Sequence, residues 1–88
     1  MFELIFREAA RRVYKKLEKS VQNQLKKKIL QLKQNCYLGK HLSGYPYWSL
    51  RVGNYRVIYE IYQSQNRIEI FEILERKHDY RELSRIGK

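Results

Sequence analysis

Trp48-Ser49-Leu50-Arg51-Val52-Gly53-Asn54-Tyr55-Arg56-Val57-Ile58-Tyr59-Glu60-Ile61-Tyr62 is the stretch on which the fold turns. Apolar residues recur at every second position on both sides of Gly53-Asn54, and a two-residue break of that kind between alternating runs signals a β-hairpin. Alternation sends Trp48, Leu50, Val52, Tyr55, Val57 and Tyr59 to one face of the hairpin. Tyr47, Ser49, Arg51, Arg56 and Glu60 go to the other. Downstream, Gln63-Ser64-Gln65-Asn66 is a polar turn, and Arg67 to Leu74 is a third strand whose alternation Glu72 interrupts. Symmetric pairing about that turn predicts Arg56 opposite a residue near Ile73.

Upstream the period changes. Val21, Leu25, Ile29 and Leu32 form a helical stripe, with Lys26, Lys27, Lys28 and Lys33 largely off it. Ser20 is the expected N-cap and Gly39 the expected C-terminal stop. Ala10, Val13, Tyr14 and Leu17 mark an earlier helix that carries Arg11, Arg12, Lys15 and Lys16 on its other side. Phe2 to Phe6 reads as a buried first strand. The order is strand, two helices, three-strand meander and charged tail, which predicts an α+β fold with the helices packed on one face of a mainly antiparallel sheet. The edge at which the first strand joins is left open.

A chain of 88 residues buries only about 60% of its unfolded surface. One domain over 1–88 is expected, with no room for a Rossmann half or a P-loop unit. No apolar run approaches the ~18 residues of a membrane span, and the N-terminus lacks the basic start of a secretory leader. A cytoplasmic protein without membrane contact is expected. The single Cys36 and two histidines cannot fill a four-ligand zinc site, so neither metal nor cofactor is expected. Cys36 reads as a small buried apolar residue, Trp48 as a core anchor and His41 as structural or idle.

Nineteen Lys and Arg stand against nine acidic residues, a formal net charge of +10. Residues 1–44 hold 11 basic and three acidic groups, against eight and six in residues 45–88. Such an excess attracts polyanions, so nucleic acid is the favoured partner and an acidic protein the next. Arg51, Arg56, Arg76 and Tyr80 can converge at one end of the open sheet face. Guanidinium forks suit phosphate, and phosphodiester transesterification needs charge compensation at phosphorus. The same arginines can instead pair with Glu60, Glu69, Glu72 and Glu75 as surface salt bridges.

Leu42-Ser43-Gly44, the run from Leu50 to Glu60, and the closing Ile73-Leu74-Glu75-Arg76-Lys77-His78-Asp79-Tyr80 resemble the RelE family of the RelE/ParE toxin superfamily. The resemblance spans essentially the whole chain. It implies a toxin of a type II toxin–antitoxin pair that enters the vacant A site of a ribosome and cleaves mRNA by 2′-hydroxyl attack. Carried over by motif, Arg56 stabilises the phosphorane-like transition state. Arg76 contacts phosphate and assists the leaving group, and Tyr80 stacks on a base and is a candidate general base, with His78 the alternative. Arg51, Lys77 and His78 would bind substrate, and Lys26, Lys27 and Lys28 would face ribosomal RNA. Tyr47 and Ser49 depart from the family, some of whose members carry lysines there; Glu75 precedes Arg76 where a histidine is frequent. The implied partners are a cognate antitoxin, bound in an apolar and basic groove between helical hairpin and sheet, the ribosome and mRNA. Two other functions share the fold: a ParE-like inhibitor of DNA gyrase, and an inactive basic RNA- or ribosome-binding homologue.

Overall fold

The structure is a computed structural model that describes residues 2–75. Strand β1 (Glu3–Phe6) leads into helices α1 (Glu8–Lys16) and α2 (Lys19–Gln31). Strands β2 (Lys40–His41), β3 (Trp48–Val52), β4 (Tyr55–Tyr62) and β5 (Arg67–Glu75) follow. The sheet order is β1-β5-β4-β3-β2. β1 joins at the β5 edge and runs parallel to β5, while every other pairing is antiparallel. Two helices on a five-stranded mixed sheet make the α+β architecture expected from the sequence.

Both hairpins follow their turn chemistry. Gly53 takes φ 58, and Asn66 is the one non-glycine residue at positive φ among those described. Asn54 therefore keeps a negative φ, the pattern of a II′-type turn with glycine at its first central position. Asn66 closes the second turn in the left-handed region at φ 55, which asparagine tolerates.

The core lies between helices and sheet. Leu25, Ile29 and Leu32 from the second helical segment and Ala10 from α1 are buried against Leu50, Val52, Val57, Tyr59, Ile68, Ile70 and Ile73. Neither helix has a side-chain cap. Ser20 lies inside α2 rather than capping it, because the chain turns helical already after Glu18. The hairpin between helices is clipped instead by a reciprocal pair. The Tyr14 hydroxyl donates to the Gln22 carbonyl at 3.1 Å, and Gln22 Nε2 donates to the Tyr14 carbonyl at 2.7 Å. Nor does Gly39 stop α2. The helix ends at Gln31, and bonds from Lys33 to the Leu30 carbonyl and from Gln34 to the Gln31 carbonyl tighten the chain to i→i−3 spacing.

Three further departures concern the sheet. The two-residue β2 was not expected, and its pairs Lys40↔Ser49 and His41↔Trp48 are too few to leave a period in the sequence. Arg56 pairs with Leu74 rather than Ile73, because the register shifts between Ile58 and Tyr59. The extra residue lies in β5, where Glu72 and Ile70 pair with successive β4 residues and Phe71 is passed over. Finally, the face away from the helices is not wholly open. The loop after β2 lays Leu42 and Tyr47 on Ile58 and Leu74, a second small core flanked by Tyr45 and Phe71.

Tyr59 links core to loop. Its buried hydroxyl donates to the Cys36 carbonyl at 2.9 Å and accepts from the Gly39 N–H at 3.0 Å. Burial pushes its pKa up to about 12, partly offset by the Gly39 N–H. The folded state thus holds this proton more tightly than the unfolded chain, in which tyrosine titrates near 10. Its contribution to stability is complete below about pH 10 and is lost as pH rises toward about 12. Chemical denaturation across this window should show stability falling with pH, with a shallower fall in Tyr59→Phe; equal slopes would refute the linkage.

Candidate nucleic-acid interface

The hairpin places Arg51 directly opposite Arg56, and Arg56 directly opposite Leu74. Alternation sets this row on the face away from the helices, near the Gly53-Asn54 turn. Arg51 is exposed and Arg56 half-buried. Two like charges opposite one another on neighbouring strands repel, and the pair brings two cations to one place on this face. Two guanidinium forks side by side can take phosphate oxygens bidentately.

Two acidic groups of this face, Glu60 and Glu69, lie toward its other end, while Glu72, opposite Ile58, is nearer the arginines. Glu69, only 6% exposed, accepts from Arg7 at 3.1 Å and from Arg67 at 2.9 Å. Arg67 also lies over the Tyr62 ring, 4.7 Å from its centroid, and the Tyr62 hydroxyl donates to Glu60 at 2.9 Å. Burial first, then Glu60 and Glu69, push the Tyr62 pKa up to about 12. Burial and Glu60 likewise raise Tyr47, against the pull of Arg7. The expected salt bridge to Glu69 therefore exists, but Arg7 and Arg67 make it. Glu60 is four residues along β4 from Arg56, about 13 Å by strand rise, and beyond a Debye length of about 8 Å in physiological salt. Glu60 and Glu69 thus lie toward the Asn66 turn and the two arginines toward Gly53, with Glu72, opposite Ile58, between them.

The lysine run of α2 divides. Lys27 and Lys28, with Gln24, Gln31, Val52 and Gly53, line a notch of about 320 Å³ between α2 and the hairpin tip. Lys26 faces a different groove, beside β1. The notch meets the Arg51–Arg56 row around the Gly53 turn, so cationic groups lie on both sides of the tip. Arg76, Lys77, His78 and Tyr80 lie outside the described residues.

Trp48 is half-buried against the core, as expected, and its ring is flanked by Tyr37 at 5.3 Å and His41 at 5.2 Å. His41 thus packs at a tilt against Trp48, in an aromatic cluster instead of a plain loop. Cys36 is a buried free thiol. Among the described residues, no three His, Cys, Asp or Glu side chains gather to hold a metal, and no helix is long and apolar enough to cross a membrane.

Comparison with known proteins places this architecture. Residues 4–80 match the family described as the ParE toxin of the type II toxin–antitoxin system parDE. The chain belongs to this toxin family, within the RelE/ParE superfamily. No curated protein matches the sequence. Solved structures of RelE toxins match the fold of this ParE-family chain. The toxin in the intact Escherichia coli RelBE toxin–antitoxin complex superposes with a TM-score of 0.79 at 23% identity, covering 89% of this chain and 100% of that one. The isolated E. coli RelE toxin gives 0.78 at 18% identity, with 99% and 97% covered. The Mycobacterium tuberculosis RelBE2 complex gives 0.76 at 23%, with 85% and 98% covered. At such identities the shared property is the fold, and the ParE-family chain carries its own side chains on it.

Proposed function

We propose that this toxin is a ribosome-dependent endoribonuclease that cleaves mRNA in the A site. The observation that carries this reading is the cross-strand pair Arg51–Arg56, two guanidinium groups side by side at the hairpin end of the sheet's outer face. In the proposed reaction the 2′-oxygen of one nucleotide attacks the adjacent phosphorus. Its proton passes to a general base, for which Tyr80 and His78 are the sequence's candidates. The bond to the 5′-oxygen breaks, that oxygen takes up a proton, and a 2′,3′-cyclic phosphate remains. Arg56 compensates the charge that builds on the non-bridging oxygens. Arg51 holds the flanking phosphate, Arg76 assists the departing oxygen, and Lys77 adds a further phosphate contact.

Lys26, Lys27 and Lys28 supply attraction to ribosomal RNA. For binding to a ribosomal RNA fragment, replacing Lys27 and Lys28 by alanine should flatten the dependence of log affinity on log salt by about 0.7–0.9 for each phosphate left without its lysine. An unchanged slope would remove the notch from the RNA interface.

Primer extension on a defined mRNA, with and without ribosomes, tests the activity. Cuts inside codons that require ribosomes are expected. The ParE description of the matched family favours a second reading, inhibition of DNA gyrase without cleavage. Intact mRNA together with blocked supercoiling would establish that reading in place of the first. In either case the proposed partner is a cognate antitoxin on a separate chain, since the E. coli and M. tuberculosis structures are toxin–antitoxin complexes.

A further inference from the structure

We propose that Lys40 extends the Arg51–Arg56 pair into a phosphate-binding row, and that the RNA strand held there crosses the sheet from β4 over β3 to the β2 edge. This deepens the nuclease reading of the same face and rests on it. The placement of Lys40 comes from the register of β2, where Lys40 pairs with Ser49 and His41 with Trp48. Directly opposed residues share a face, so Lys40 is on the outer face with Ser49, and His41 on the helix face with Trp48. Two contacts confirm that alternation independently. The His41 ring is 5.2 Å from that of Trp48, which packs on the main core. Leu42, two residues after Lys40, is buried in the second core with Tyr47 and Ile58.

Ser49 is two residues before Arg51 on β3, which makes Lys40 and Arg51 diagonal neighbours, about 7–8 Å apart. Arg51 is in turn opposite Arg56. Cations thus occupy three adjacent strands, β2, β3 and β4, at a step comparable with that between neighbouring phosphates of an extended single strand. Lys40 is exposed, and among the described residues no carboxylate forms an ion pair with it. Glu72 is three strands away in the same row, about 14 Å. Glu60 is two strands away and two residues along, about 12 Å. Both lie beyond a Debye length of about 8 Å.

The surroundings give the row its direction. On the β5 side Arg56 meets Leu74, which is buried in the second core, and Glu72 is diagonal to it. A phosphate backbone continuing that way would leave the cations and meet apolar surface and a carboxylate. On the other side the cations continue to β2, the edge strand of the sheet. A strand leaving over that edge keeps a positive charge beneath its next phosphate. The scissile phosphate is then at the arginines and its neighbour at Lys40, so Lys40 binds and aligns substrate without touching the reacting atoms.

The test uses the full chain and ribosomes programmed with mRNA carrying 2′-deoxy sugars in the A-site codon, so that binding is read without cutting. One methylphosphonate at a time removes the charge of each linkage in that codon. Lys40→Ala should weaken binding about fivefold, the upper end for an exposed ion pair. It should also lower the salt slope by about 0.7, the share of one phosphate on a single strand. Lys40→Arg should restore the affinity. Neutralising one linkage beside the scissile one should weaken the parent to the same extent and leave Lys40→Ala unaffected. With all-ribose mRNA, Lys40→Ala should cleave at the parent rate once ribosomes are saturating. Lys16→Ala, an equal loss of charge at an exposed position of α1, should bind as the parent does. Unchanged binding in Lys40→Ala, or an equal loss in Lys16→Ala, would overturn the proposal. So would additive losses at every linkage, an equal weakening on ribosomes whose mRNA ends before the A site, or a lower saturated rate with affinity intact. Cleavage by the parent is read separately. Ribosome-dependent cuts without coupling at any linkage refute the Lys40 contact alone, and coupling without cuts refutes the nuclease reading alone.

Discussion

Arg56→Ala should lower ribosome-dependent mRNA cleavage by about 10²–10³-fold, the usual effect of removing a preorganised donor aimed at developing negative charge. The size follows from how Arg56 is held. It is on a central strand, paired on one side with Arg51 and on the other with Leu74, and its half-buried side chain loses less freedom on meeting phosphate than a fully exposed one. Arg51, exposed and one strand nearer the edge, should matter less, and Arg51→Ala should act mainly on substrate affinity. Arg56→Lys should recover only part of the rate, because an ammonium keeps the charge but lacks the planar fork. Folding should survive the change. Arg56 is on the outer face, away from the core between helices and sheet, so the thermal midpoint of Arg56→Ala should stay close to the parent's. Single-turnover cleavage on programmed ribosomes, beside thermal melts, measures both. Cleavage within threefold of the parent would remove Arg56 from the chemistry and favour the gyrase reading.

The row was legible in the sequence because its two arginines flank a turn of fixed length. Once Gly53-Asn54 is read as a two-residue turn, Arg51 opposite Arg56 follows by counting. Counting fails across the second turn, where the bulge at Phe71 moves Arg56 from Ile73 to Leu74. A bulge depends on how side chains from distant segments pack, and Glu72 as a break in alternation was its only local trace. The second core was invisible for a similar reason. Tyr47 falls on the outward face by alternation, yet the loop from Leu42 folds back over that face and buries it. The division of the α2 lysines also needed the third dimension. Lys26, Lys27 and Lys28 are one run in the sequence, but successive helical residues point about 100° apart, and only the placement of β1 and the hairpin tip shows which groove each one meets.

Gly39→Ala should destabilise the fold by about 3 kcal/mol, at the upper end of the cost of overfilling a packed site. In a domain of this size that lowers the melting temperature by about 12–24 °C. Nothing in the local sequence asks for glycine here, since α2 ends well before it and the φ of Gly39 is not positive. The requirement comes from close approach. A Cβ on Gly39 would stand 2.7 Å from the Ser49 carbonyl oxygen and 2.7 Å from the Tyr59 hydroxyl. The first contact is with backbone of the strand that β2 pairs with, and the second is with the hydroxyl that ties Gly39 to Cys36. Tyr59→Phe alone should cost about 1–3 kcal/mol by leaving those buried backbone groups unsatisfied. The double variant separates the causes. It removes the hydroxyl clash but keeps the carbonyl clash, so its loss should be smaller than the sum of the two single losses yet larger than that of Tyr59→Phe. Full additivity would show that the two sites act independently, and recovery to the Tyr59→Phe level would place the whole strain on the hydroxyl. Because Gly39 contacts β3 at Ser49, two residues before Arg51, the folded fraction of Gly39→Ala at low temperature should still cleave mRNA at close to the parent rate, the reverse of the Arg56→Ala pattern.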